Sequence, residues 1–267
     1  MLSTRTLLHR DGLELSAVAC SHRHGRGACE QHSGGYALVF IRRGRFVRAA
    51  DGVASLLDPS VAYCMNPGEE QRYDHLDDAG DDCTSLFIDA EVLAGIWGGE
   101  LGLPQGALQT SPAIDLAHRL LLRRAALSDQ DELLEQALML AAATLALSDP
   151  HRVHAGRPST TRARRALADG ARELLAADPQ RSLGELAGAL SVSPHHLSRV
   201  FREGTGHTIS RHRMRLRVRA ALERLADGER DLARLSAELG FADQSHLCRV
   251  MRDETGHTPA ALRSILA

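Results

Sequence analysis

The chain contains no lysine: all 32 of its basic residues, among 267 positions, are arginine. GC-rich codon usage accounts for that bias without a functional cause. There is also no run of about 18 apolar residues, the length a membrane-spanning helix needs, so no membrane partner is expected. The opening stretch "MLSTRTLLHRDGLEL" lacks the apolar core of a secretion signal, which predicts a cytoplasmic protein. Cysteine is sparse, five in all, an odd count with no C-x-x-C pair. That argues against a disulfide framework and for reduced thiols. Absent too are G-x-S-x-G, a phosphate-cradling glycine loop and a Ser/His/Asp arrangement, so the motifs point away from an enzyme.

What is present is unevenly distributed. Residues 1–157 hold 14 arginines against 21 acids, a balance of −7, while residues 158–267 hold 18 against 13, a balance of +5. An acidic part joined to a basic part predicts that only the second meets a polyanion. Length allows about two domains at the usual ~100–200 residues each.

From about 16 to 89, short strands are expected. "YALVFIRRGRFVRAADG" has an apolar run, a turn at Gly44, a second short run and a turn at "DG"; "DP" and "NPGEE" break the next stretch. This pattern predicts a small sandwich or barrel. From about 91 to 149, leucine and alanine recur at spacings of three and four, as in a helix. Ser111 with Pro112 reads as an N-cap with proline at N1. Leu133, Leu134, Ala137, Leu138 and Ala141 make an apolar stripe that suits packing on its own domain or a helix–helix dimer contact. "DPHRVHAGRPSTTR" reads as a linker, and everything after it as helix.

The strongest signal is a repeat. "HLSRVFREGTGHT" from His196 and "HLCRVMRDETGHT" from His246 agree at nine of thirteen positions. Each follows a helix with matching apolar spacing: Leu183, Leu186, Ala187 and Leu190 in the first copy; Leu232, Leu235, Ser236 and Leu239 in the second. The preceding helices align at an offset of 49 and the echoes at 50, so the second turn is one residue longer. Helix, tight turn, helix, written twice, is the helix-turn-helix, whose second helix enters a major groove. Leu197, Val200 and Phe201, and then Leu247, Val250 and Met251, face inward. The outward faces carry His195, Ser198, Arg199 and Arg202, and then Gln244, Ser245, Cys248, Arg249 and Arg252. Arginine suits guanine and glutamine suits adenine. Between the copies, "ISRHRMRLRVRAALERLADG" predicts one helix from about Ile209 to Ala226. Its alternating arginines are expected to divide between phosphate contacts and acids such as Glu223 and Glu238.

"SVSPHHLSRVFREGTGHT", "RLRVRAALERLADG" and "ELGFADQSHLCRVMRDETGHTPAALR" together resemble the DNA-binding domain of AraC/XylS-type bacterial transcription regulators. The resemblance implies a seven-helix domain spanning two adjacent major grooves of promoter DNA. Its base-facing residues would be His195, Ser198 and Arg199, then Gln244, Ser245, Cys248 and Arg249. Upstream, the short strands resemble the cupin-type sensory domain of many such regulators, and the helices after them the dimerisation element. The expected fold class is therefore α+β: a small β-barrel, cupin-like domain (1–95), a helical dimerisation segment (96–150), a linker (151–162) and an all-α domain with two helix-turn-helix units (163–267). The implied partners are double-stranded promoter DNA, RNA polymerase, a second copy of the chain and a small-molecule effector.

A sensor site is expected in the first domain. "CSHRHGRGACEQH" holds Cys20, His22, His24, Cys29 and His32, with Cys64, His75 and Cys83 further along. Thiolates and imidazoles are ligands for zinc or other transition metals, and Cys20, His22, Cys29 and His32 form the candidate metal set. The cupin metal pattern is imitated by His22, His24 and Glu30 with one residue too many, and Gln71 stands where it has a later histidine. A metal, a thiol redox signal on Cys20, Cys29, Cys64 or Cys83, and an organic ligand in the barrel all remain open. Other classes fit less well. A cupin-fold enzyme with a DNA-targeting domain meets the broken metal motif. A DNA-repair methyltransferase with a similar module would need a "PCHR" motif, which is absent.

Overall fold

The computed structural model describes residues 2–21, 29–76, 80–97, 102–125, 129–147 and 158–266. The chain divides into two units, one formed by 1–110 and 117–151, the other by 111–116 and 152–267.

Among the described residues the first unit holds ten strands. They are β1 (Leu2–Arg10), β2 (Leu13–Cys20), β3 (Cys29–His32), β4 (Tyr36–Arg43), β5 (Phe46–Ala50), β6 (Val53–Leu57), β7 (Val61–Met65), β8 (Glu70–His75), β9 (Asp81–Ile88) and β10 (Ala107–Gln109). Two antiparallel sheets result, ordered β1-β2-β9-β4-β7-β10 and β3-β8-β5-β6. Side chains alternate across a strand, so Ala37, Val39 and Ile41 of β4 face Phe46 and Leu57 of the other sheet, with Val61, Tyr63 and Cys83 completing that core. The intervening Leu38 and Phe40 are buried as well, and Phe40 stacks on His118 of α2 (Pro112–Arg124) at 4.7 Å. A strand covered on both faces reads as an unbroken apolar run, which is what "YALVFI" is.

The sandwich expected from the turn signals is therefore present, with two differences. It begins earlier, because β1 and β2 pair from Leu2 onward. A strand also interrupts the segment expected to be wholly helical: Ala107–Gln109 pairs with Tyr63, Ala62 and Val61 and covers the edge of β7. Helices α1 (Ala90–Trp97) and α3 (Gln130–Leu145) pack on each other, and α3 also on β1. Asp129 caps α3, which buries Leu133, Ala137, Leu140, Ala141, Thr144 and Leu145 within its own unit. Met139 and Leu147 are left exposed.

The second unit is helical: α4 (Pro158–Ala177), α5 (Leu183–Ala189), α6 (Pro194–Thr205), α7 (Ile209–Ala226), α8 (Leu232–Glu238), α9 (Gln244–Thr255) and α10 (Pro259–Leu266). Helix α4 starts at Pro158, so the last five residues of the expected linker are helical, because proline at the first turn costs the helix no hydrogen bond. Ala171 and Leu175 of α4 share one core with Leu186, Ala187, Leu197, Phe201 and Ile209.

Candidate nucleic-acid interface and sensor region

The repeat folds twice in the same way. Ser182 and Glu185 form a capping box at α5, Ser193 caps α6 ahead of Pro194, and Asp231 and Asp243 cap α8 and α9. The turn between α5 and α6 is four residues, 190–193, and the turn between α8 and α9 is five, 239–243. Both helix pairs close through the same chain reversal: Val192 donates to the Ala187 carbonyl and Phe241 to the Ser236 carbonyl.

The "TGHT" echo has a structural explanation. Thr205 and Thr255 are buried, and each hydroxyl bonds back to its own helix, at Phe201 (2.8 Å) and Met251 (2.6 Å). Gly206 and Gly256 end the helices at φ of 82° and 79°, the left-handed cap that glycine adopts without strain. Thr208 and Thr258 then accept from the first turns of α7 and α10. The sequence flagged the repetition; the inward-facing threonine hydroxyls were legible only from the fold.

Leu197, Val200, Phe201, Leu247 and Met251 are buried, and Val250 is half-buried. On the opposite faces His195, Arg199, Arg202, Gln244, Ser245, Arg249 and Arg252 are exposed, and Ser198 and Cys248 half-exposed. Helices α6 and α9 thus each present a polar, cationic face around their N-terminal halves. Arg199 lies 3.3 Å from Glu203 and 3.3 Å from the His196 ring. An exposed pair of this kind is worth less than about 1 kcal/mol, so Arg199 is readily released to another acceptor.

The arginine run on α7 is committed differently from expectation. Arg211 pairs with the buried Glu254 at 2.6 Å, Arg213 donates to the Arg181 carbonyl, and Arg219 is buried. Glu238 pairs with Arg224 and Arg234 instead, in a network through Glu229 that ties the end of α7 to α8. Backbone N–H groups of Asp231 and Arg230, with both arginines, hold the Glu229 carboxyl down at about 2. Spacing by twos on a helix points successive side chains in different directions, which is why these arginines meet unlike surroundings.

His207 lies where α6 meets α7. Its ring stacks on His212 (5.4 Å, 23°) and meets the edge of Phe201. His207 Nδ1 faces the Thr205 carbonyl at 2.9 Å and so carries the proton, which leaves Nε2 to accept from His212 Nδ1 at 3.2 Å. Burial, helped by the Arg215 guanidinium, pushes the His207 imidazole down to about 4. The folded state therefore keeps His207 neutral while the unfolded chain takes up a proton near 6.5. Stability is full above about 6.5 and falls as pH drops towards 4. Solvent screening of this half-buried ring keeps the loss to about 1–2 kcal/mol. Urea midpoints measured at about pH 7.5 and about pH 5 should differ accordingly, and His207→Gln should flatten the difference. An unchanged pH dependence in that variant would sink the assignment.

In the first unit the described sensor residues lie on several strands: Cys20 on β2, Cys29 and His32 on β3, Cys64 on β7, His75 on β8 and Cys83 on β9. His22 and His24 lie outside the described residues, and Cys29 and His32 sit on β3 opposite Tyr73 and Glu70. Cys64 and Cys83 are buried; burial raises both thiols, Cys64 to about 12. A thiol so raised carries almost no thiolate at neutral pH and is a poor redox sensor. Gln71 is buried and accepts from Arg48 (3.1 Å) and from the Tyr73 hydroxyl. Arg48 also pairs with Glu69 at 2.7 Å and lies over the Tyr63 ring. Gln71, which the sequence set against a cupin's later histidine, is thus taken up with holding a guanidinium. Cys20 ends β2 directly opposite Asp81 at the start of β9. His75 Nε2 is 2.6 Å from Asp81 Oδ1, and the Cys83 thiol donates to Asp81 Oδ2 at 3.4 Å. Asp81 was not singled out from the sequence, because its place depends on strand register across some sixty residues. A cleft of about 580 Å³ opens on the same unit, lined by Tyr36, Asp51, Asn66, Glu69, Leu103 and Gln105 among others.

The sequence profile of a helix-turn-helix domain family matches residues 186–265. No curated protein matches the chain. Among solved structures, ToxT from Vibrio cholerae O395 is similar at 12% identity over 97% of this chain and 99% of that one, with a TM-score of 0.38. The C-terminal domain of AraT, a response regulator from Geobacillus stearothermophilus, is 22% identical over 37% of this chain and 84% of that one (TM-score 0.34). An AraC-type DNA-binding domain-containing regulator from Chromobacterium violaceum is 23% identical over 39% and 94% (TM-score 0.37). The assignment rests on the profile match and on the doubled geometry of α5–α6 and α8–α9. Residues 186–265 of this chain therefore form a helix-turn-helix domain.

Proposed function

We propose that the chain is a sequence-specific regulator of transcription, bound to double-stranded promoter DNA as a homodimer and controlled by an effector at its first unit. The observation that carries this reading is the pair of reading helices, α6 and α9, each capped and buried alike and each turning a polar, cationic face outward. A single such helix is a weak footprint; two in register, in the basic part of the chain, fit adjacent major grooves. The connecting α7, with 18 residues, is roughly 27 Å long by its rise, commensurate with one turn of DNA at ~34 Å. His195, Ser198, Arg199 and Arg202 on α6, and Gln244, Ser245, Cys248 and Arg249 on α9, are the contacts we assign. RNA polymerase is the onward partner and the cytoplasm the setting that this role implies. The homodimer reading draws on α3, which leaves Met139 exposed beside its buried stripe, and on Leu147, exposed just past its end. The polar cleft near Asn66 and Glu69 supports a small polar molecule as effector.

Selection of operators from a random duplex library, followed by titration of Arg199→Ala and Arg249→Ala, tests the assignment. Each variant should lose ~1–3 kcal/mol, about 5–150-fold, with relaxed preference at one base. The wild-type complex should contain two chains. A uniform loss on unrelated sequences would make these arginines phosphate contacts, and failure to enrich any operator would refute sequence-specific regulation.

A further inference from the structure

Three donor types converge at one end of the first unit. Cys20, at the end of β2, and His75, at the end of β8, are half-buried; Asp81, at the start of β9, is buried. One ligand atom from each lies within 4.8 Å of the other two. Two of the strands belong to one sheet and the third to the other. The backbone is drawn tight at this point: a Cβ on Gly80 (φ 69°) would lie 2.3 Å from the Cys20 carbonyl oxygen. A side chain at 80 would therefore push β2 away from Asp81.

His75 and Asp81 share a hydrogen bond, and Cys20 brings a thiol to within 4.8 Å of both. We propose that Cys20, His75 and Asp81 bind one divalent ion of the zinc class. In a tetrahedral zinc site with bonds of about 2.0–2.3 Å, neighbouring donor atoms stand about 3.3–3.6 Å apart. From separations within 4.8 Å the donors would have to draw in to that range, while the His75–Asp81 contact would open from 2.6 Å as the ion replaces the shared proton. A thiolate and a carboxylate balance the two positive charges, while imidazole adds a neutral donor. Sulfur with nitrogen and oxygen selects zinc or cobalt over calcium or magnesium, which take oxygen alone. Three protein ligands leave a fourth position to water or an outside donor, the arrangement of an open rather than a sealed site. The ion would pin one sheet to the other. This set keeps Cys20 from the group expected on sequence and replaces His22, Cys29 and His32 with His75 and Asp81. The site gives the reading of the first unit as a sensor a second input beyond the cleft, and metal binding is measured without DNA, so its failure and that of the DNA-binding reading are separate results.

The test uses the full chain, reduced and stripped with a chelator, titrated first with Co²⁺ and then with Zn²⁺. The expected result is one Co²⁺ per chain with a thiolate-to-cobalt charge-transfer band that one equivalent of Zn²⁺ removes. Zinc should also raise the unfolding midpoint read from the fluorescence of Trp97, the sole tryptophan. Cys20→Ser should abolish the band. Cys20→Ser and His75→Gln should each weaken Zn²⁺ by at least about 100-fold, beyond the loss typical of an outer-sphere partner, and Cys29→Ser should bind as wild type. No charge-transfer band and no stoichiometric zinc would overturn the proposal. So would binding that survives His75→Gln but is lost in Cys29→Ser.

Discussion

Arg48→Met is expected to destabilise the first unit by about 3–5 kcal/mol, the cost of leaving a buried charge without its partner. Arg48 and Glu69 have side chains 3% and 2% exposed, and the guanidinium reaches Glu69 at 2.7 Å and Gln71 at 3.1 Å. Without it, among the described residues the Glu69 carboxylate keeps the backbone N–H of Asn66, at 3.1 Å, and the Gln71 and Tyr63 contacts are lost as well. The double variant Arg48→Met with Glu69→Leu should recover most of that loss, because removing both charges removes the desolvation burden along with the attraction. Trp97, on α1 of the same unit, reports the transition by fluorescence in urea. If the single and double variants unfold at the same midpoint, the ion pair is not what holds this interior together.

Phe201→Ala should cost the second unit a similar amount, about 3–5 kcal/mol. Its side chain is fully buried at the centre of the core that joins α4, α5, α6 and α7, and its ring meets both His207 and His212. Truncation leaves a cavity among Ala171, Leu175, Leu186, Leu197 and Ile209 of that core. Phe201→Leu keeps most of the volume and should lose less than about 1.5 kcal/mol. Far-ultraviolet circular dichroism in urea follows this unit, which is all helix among the described residues. Equal effects of the alanine and leucine variants would show that the ring does not organise this core. Met251 occupies the matching place in the second copy, and a flexible thioether fills such a gap with less dependence on shape.

The second unit was far more legible in the sequence than the first. Its elements are local: caps at Ser193 and Thr208, glycine at 206 and 256, and leucines three and four apart each settle a helix within a dozen residues. Repetition then confirmed each of them against its copy, and α7 spans Ile209–Ala226 as expected. In the first unit the turns were legible but the partners were not, since β2 pairs with β9 across about sixty residues and nothing local encodes that register. Arg48 shows a signal that was available and missed. In "FVRAA" the period of two places it on the same face as Phe46 and Ala50, inside the sandwich. Asp81 offered no such signal, and its company with Cys20 and His75 emerges only when both sheets are assembled.

The one-residue difference between the two turns means that the repeat is not a symmetric device. On the proposed function, with His195, Ser198 and Arg199 outward on α6 and Gln244, Ser245, Cys248 and Arg249 outward on α9, the two halves would ask for different base sequences. A protein that read a palindrome with two identical heads could lie on DNA either way round. A single chain of this kind has a head and a tail, and on that proposal the site it selects would have an orientation, each bound molecule pointing along the duplex in a direction written into the operator itself.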